Sequence, residues 1–99
     1  MNHARLLARF LRYVAVDTTA DPESSTYPSS PGQLVLGEML VQEVRNIGLV
    51  DVVQDHHGIV LATIPAHPSS PRGHQRLPVV ALCAHLDTSP ETPGANIRP

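Results

Sequence analysis

An α/β fold, with helices packed on a mixed sheet, is predicted by three features of this chain. Residues 3–15 and 31–47 repeat apolar side chains at helical spacing. Two short runs rich in β-branched residues, 50–54 and 59–64, flank a turn-forming "DHHG". A third run, "PVVALCA" at 78–84, is continuously apolar and bounded by turn signals, the pattern of a central strand covered on both faces. Helix, loop, helix, strand, strand, loop, strand is the order of a layered domain.

Each element has its local reason. In the first helix Leu7, Phe10, Leu11 and Val14 follow i, i+3, i+4, i+7 spacing, with Arg5, Arg9 and Arg12 off that face. This predicts a docked surface helix. The loop at 16–31, "VDTTADPESSTYPSSP", is long for a compact domain and points to a functional or packing role. Ser30, Pro31 and Gln33 then predict a helix start with a capping box. Leu36, Leu40, Val44 and Ile47 form the apolar stripe of that second helix, and Gly48 is placed to end it. "DHHG" joins the next two strands as a hairpin turn. Residues 65–77 read as a second polar loop. An apolar strand at 78–84 needs further strands beside it and helices over it. The organisation therefore predicts the front part of a longer protein.

Composition narrows the function. At 41% hydrophobic residues the chain is not disordered, and at 3% aromatic its core is aliphatic. A formal charge of -2 is too small for a nucleic-acid or anionic-membrane surface. The single cysteine, Cys83, excludes an internal disulfide framework and fits a reducing compartment. Arg9 and Arg12 interrupt the apolar run of the N-terminus, so it does not read as a secretory signal. A cytoplasmic protein with no nucleic-acid or membrane partner is expected.

Chemistry concentrates where the apolar run ends, at His85-Leu86-Asp87-Thr88. Ligands of open α/β sheets bind beyond the carboxyl ends of strands. Imidazole is the commonest metal ligand near neutral pH, and a ligating His usually donates its other ring N–H to a carboxylate or carbonyl. His-x-Asp supplies both parts. The same residues also read as a strand-end His and a turn-capping Asp. Cys83, inside the apolar run, reads as a small buried hydrophobe rather than a nucleophile. His56 and His57 read as turn residues, His67 and His74 as solvated loop residues, His3 as a fraying helix start, and Asp17 with Thr18 as a cap or turn. No phosphate-cradling Gly-rich loop, paired-Cys zinc motif or Gly-x-Ser-x-Gly elbow occurs.

The segment His85, Asp87, Thr88, Ser89, Pro90, then Gly94, Asn96 and Pro99, resembles the first metal-site segment of the peptidase T family of tripeptide aminopeptidases. That family belongs to the zinc-dependent peptidases that include aminoacylases and glutamate carboxypeptidases. "LLARFLRYVAVDTTAD", "SSPGQLVLGEMLVQEVRNIGL" and "GIVLATIPA" extend the resemblance over nearly the whole chain. It implies a catalytic domain with two zinc ions, a tripeptide substrate, and a smaller domain serving dimerisation or as a lid. Carried over by position, His85 is a zinc ligand and Asp87 the catalytic-site carboxylate that orients and polarises it. The family's later elements, among them a Glu-Glu pair and a late His, do not occur in these 99 residues. The expectation is that residues 1–99 are the N-terminal part of a catalytic domain, inactive alone. A deacylase or dipeptidase of the same superfamily is the nearest alternative, and a non-enzymatic α/β interaction module the more distant one.

Overall fold

The structure, a computed structural model, describes residues 2–66 and 78–98. Its elements are α1 (His3–Val14), α2 (Pro31–Asn46), β1 (Val50–Gln54) and β2 (Val60–Thr63). The mix of helix and strand is the one expected. The predicted loop at 65–77 lies almost wholly outside the described residues, as do His67 and His74.

α2 and the hairpin form the packed part. Ser30 holds the extended N-cap conformation and Pro31 opens the helix, where a missing N–H costs nothing. The capping box does not form. Gln33 donates instead from Nε2 to Ser29 Oγ at 3.0 Å and to the Thr18 carbonyl at 3.4 Å, so it serves the preceding loop. At the other end Gly48 takes a φ of +91°. Its N–H reaches the Arg45 carbonyl at 3.0 Å, and the Leu49 N–H reaches that of Val44 at 3.0 Å. This paired closure satisfies two carbonyls that the helix leaves free, and glycine adopts it without steric cost.

β1 and β2 pair antiparallel, with Val53 opposite Leu61 and Gln54 opposite Val60. A bulge lies between Val50 and Val53, where Asp51 has a φ of +52°. The predicted turn is present. Asp55 Oδ1 accepts the N–H groups of His57 and Ile59 at 2.9 and 2.8 Å, and the Asp55 carbonyl accepts that of Gly58 at 3.0 Å. A short polar side chain that replaces backbone partners is what favours Asp in turns.

α2 lies on this hairpin. Leu36 and Val41 are its buried apolar residues, at 8% and 6% exposure. Gly37 is buried too, and a Cβ there would fall 3.3 Å from Val60 Cγ2. The expected stripe is shifted as a result: Leu40 and Val44 are half-buried and Ile47 is exposed. The helix turns the Leu36–Gly37–Val41 side to the sheet, where the missing side chain of Gly37 leaves room for those of Gln54 and Val60.

Two further expectations are corrected. α1 does not dock through its apolar stripe, since Leu7, Phe10 and Leu11 are exposed and Val14 is only half-buried. It is held by polar contacts of its other face: Arg9 and Arg12 pair with Glu43 of α2, the latter at 2.7 Å, and the Tyr13 hydroxyl donates to Glu43 at 2.7 Å. Its N-cap is Asn2, whose Oδ1 accepts the Arg5 N–H at 3.1 Å. The second correction concerns 78–84. This run forms no strand, and Val79, Val80 and Leu82 are 97%, 80% and 93% exposed. A strand exists only through a neighbour's hydrogen bonds, and among the described residues none is aligned beside it. Cys83 is therefore exposed rather than buried. Among the described residues no helix is long and apolar enough to cross a membrane.

Candidate metal-ligand segment

The segment after 84 is anchored where the apolar run is not. Thr88 forms a one-residue parallel bridge with Thr19. The Thr88 N–H donates to the Thr18 carbonyl at 3.2 Å, and the Ala20 N–H donates to the Thr88 carbonyl at 3.0 Å. Thr18, which follows α1 by a few residues, is 3% exposed, so its carbonyl works in a dry setting. Further on, the Gly94 N–H donates to Thr19 Oγ1 at 3.0 Å. Asn96 follows with a φ of +58°, which Asn tolerates better than most residues. The long first loop thus has the packing role its length suggested.

His85 and Asp87 are brought together just before this anchor. His85 Nδ1 lies 2.8 Å from the Asp87 carbonyl oxygen and 3.1 Å from Asp87 Oδ1. A carbonyl oxygen only accepts, so the contact places the proton on Nδ1. In the neutral ring Nε2 then carries the free lone pair. The imidazole is 83% exposed, so that lone pair is accessible. The ring is oriented and unsaturated on one side, the form in which a neutral imidazole ligates a metal.

The other candidates do not join it. Among the described residues no group of three or more His, Cys, Asp or Glu converges. Catalytic zinc takes about three protein ligands. His85 therefore fits one position of such a set, with Asp87 behind it, and the described residues do not supply the rest. His56 and His57 stack against each other at the hairpin turn, their ring centroids 3.8 Å apart, with Tyr27 edge-on to His57 at 5.5 Å. His3 is the first residue of α1.

Asp17 and Thr18 are expected at a cap or turn, and Asp17 is in one. Its Oδ1 accepts the Thr19 hydroxyl at 2.6 Å and the Thr19 N–H at 3.1 Å. Those bonds, the hydroxyl's first, hold its carboxyl below the ordinary range. What the sequence left out is the partner: Thr19 meets Gly94 across 75 positions of chain.

Comparison with known proteins adds the rest. Peptidase T from Geobacillus sp. strain WCH70 is 44% identical to this chain over 94 residues. Those from Geobacillus thermodenitrificans strain NG80-2 and Bacillus cereus strain G9842 are 47% and 43% identical over the same length. The chain resembles peptidase T over nearly all of its length. Each alignment takes in 95% of this chain and 22% of the relative, so the chain spans about a fifth of the length of the curated relatives it matches. No protein-family model matches it. With 94 of the 99 residues aligned, the likeness to peptidase T takes in both the loop at 17–20 and the His85–Asp87 pair.

Proposed function

We propose that this chain carries the first metal-site segment of a zinc-dependent aminopeptidase that releases the N-terminal residue of tripeptides. The observation that carries this reading is the His85–Asp87 arrangement, Nδ1 engaged and Nε2 free, in a peptidase T-like sequence. Residues 1–99 are read as the N-terminal part of the catalytic domain. Further ligands, a general base and a smaller dimerisation or lid domain would belong to sequence outside these residues. The setting would be cytoplasmic.

In this reading His85 Nε2 is a zinc ligand. Asp87 fixes the ring's tautomer and orientation through Nδ1–H and raises the basicity of the ligating nitrogen. Zinc held in part by His85 would supply an acidified water as nucleophile and a Lewis acid to polarise the scissile carbonyl. The role of Asp87 is positional: one side chain and its own backbone carbonyl grip the same N–H, so the ring has little freedom to turn.

The test is made on the native protein from its source cells, with its intact mass measured first. The expected result is chelator-sensitive release of the N-terminal residue from a tripeptide, restored by zinc. His85→Ala should remove more than the roughly 100-fold typical of losing an outer-shell partner. Hydrolysis of an N-acyl amino acid but not of a tripeptide would replace this reading with the deacylase one. Neither activity, with a native mass equal to that of these 99 residues, would sink the enzyme reading.

A further inference from the structure

The pair His85 and Asp87 does not position itself. The apolar run before it is exposed on nearly every side. Among the described residues, the hydrogen bonds that join 78–98 to 2–66 all end on Thr18, Thr19 and Ala20. Two of them hold Thr88, the residue next to Asp87, by its N–H and its carbonyl. The third holds Gly94, beyond the Ser89–Thr92 turn.

This third bond has a direction built into it. A hydroxyl has one hydrogen and two lone pairs. The Thr19 hydrogen is committed to Asp17 Oδ1 at 2.6 Å, a short bond to an ionised acceptor. The hydroxyl oxygen is thereby turned as an acceptor toward the Gly94 N–H, 3.0 Å away. Asp17 is locked in turn by the Thr19 N–H at 3.1 Å. Carboxylate, hydroxyl and amide form a chain with one polarity.

The fit around Gly94 leaves no slack. A Cβ there would lie 2.6 Å from Thr19 Oγ1, 2.8 Å from Asp17 Oδ1 and 3.4 Å from Thr88 Oγ1. The first two distances are shorter than real contacts allow. The backbone at 94 thus sits directly on the Asp17–Thr19 pair and beside Thr88. The loop from 88 to 94 is gripped at both ends by one three-residue stretch, and His85 and Asp87 enter it from one side.

We infer that Thr19, set by Asp17, is a positioning residue: it fixes the 88–94 loop and through it the aim of the His85–Asp87 pair. The inference rests on the metallopeptidase reading of that pair. It is tested by zinc affinity, measured by competition with a chelator in the native protein, for wild type, Thr19→Val, Thr19→Ser and His85→Ala. Thr19→Val keeps the shape and removes the hydroxyl. It is expected to weaken zinc binding by roughly 10- to 100-fold, the range for outer-shell partners. Thr19→Ser, which restores the hydroxyl, is expected to recover affinity to within about threefold of wild type. Amide exchange at Gly94 should quicken in Thr19→Val and not in Thr19→Ser. If Thr19→Val fails to fold, Asp17→Asn, which weakens the acceptor on an exposed loop, must lower the affinity in the same direction. Wild-type affinity in a folded Thr19→Val protein would overturn the positioning role while leaving the function standing. A wild type whose zinc binding does not depend on His85 would overturn both.

Discussion

The two halves of this molecule are built differently. Residues 31–63 form a helix lying on a hairpin, with Leu36, Gly37 and Val41 buried between them. Residues 78–98 hold the candidate pair His85 and Asp87, form none of the described helices or strands, and are hydrogen-bonded to the rest through Thr88 and Gly94. The first region is held by apolar burial, which is non-directional and tolerates small shifts. The second is held by a few hydrogen bonds, which are directional and fail singly. Stability and aim therefore reside in separate places. A substitution in one region should leave the other's property largely untouched.

The largest break of that comparison comes from Leu36→Ala. Leu36 is one of only two buried apolar side chains among the described residues, so no neighbouring core can fill the space. Leu→Ala changes in cores cost about 2–5 kcal/mol, and a residue at the rim of a thin core belongs near 2–3. Denaturant unfolding of the chain should show that loss. The exchange rate of the Gly94 amide, referred to the folded state, should not move. If the two fall together, the regions are one cooperative unit.

The packed region was the more legible one, and the reason is range. Pro31 after Ser30, Gly48 after the helix, and Asp55 with Gly58 in the turn all act on neighbours within a few residues. Their signals sit in a short window of sequence, and the structure realises them. Gln33 shows the limit. The capping box is one local solution, but the Ser29 hydroxyl, one turn back, and the more distant Thr18 carbonyl take the Gln33 amide instead. The run at 78–84 shows it more strongly. Its composition states what burial would favour, not whether a neighbouring strand exists to receive it. At the site, His-x-Asp proximity was legible because two positions separate the residues. The Thr19–Gly94 contact was not, because no local pattern encodes a partner 75 residues away.

A middle-sized effect separates α1 from both regions. Glu43 receives Arg9, Arg12 and the Tyr13 hydroxyl. Burial alone would raise its pKa, but the hydrogen bonds from Tyr13 and Arg9 and the charges of Arg9 and Arg12 outweigh it and hold the carboxyl below its ordinary 4.5. Tyr13 is raised, by burial first and then by its bond to that carboxylate. A carboxylate depressed in the folded state stabilises fully above its unfolded pKa, and the gain is lost as pH falls through the folded one. Acidification below pH 4.5 should therefore loosen α1 while the α2–hairpin unit persists. With both arginines partly exposed the effect is roughly 0.5–1 kcal/mol and shrinks with salt. Amide exchange in α1 measures it. In Glu43→Gln the α1 amides should exchange faster at neutral pH and lose this acid dependence; unchanged exchange would mean another contact holds the helix.

The smallest effect sharpens the comparison most. Val80 sits in the middle of a run that composition assigns to a buried strand, yet 80% of its surface is exposed. Val80→Ser removes two methyl groups that already face water, so it should cost the 99-residue chain less than about 0.5 kcal/mol. The same change in a covered strand would remove buried apolar area and strand a hydroxyl, at about 1–3 kcal/mol or more. The measurement is denaturant unfolding of wild type and Val80→Ser, in the 99-residue chain and in the native protein. A loss confined to the native protein would mean that residues outside this chain cover the run, and that His85 is delivered to its place by a strand formed only with their help. A loss already present in the 99-residue chain would mean that the run finds cover among these residues. The region at 78–98 would then owe its order to burial as well as to Thr88 and Gly94.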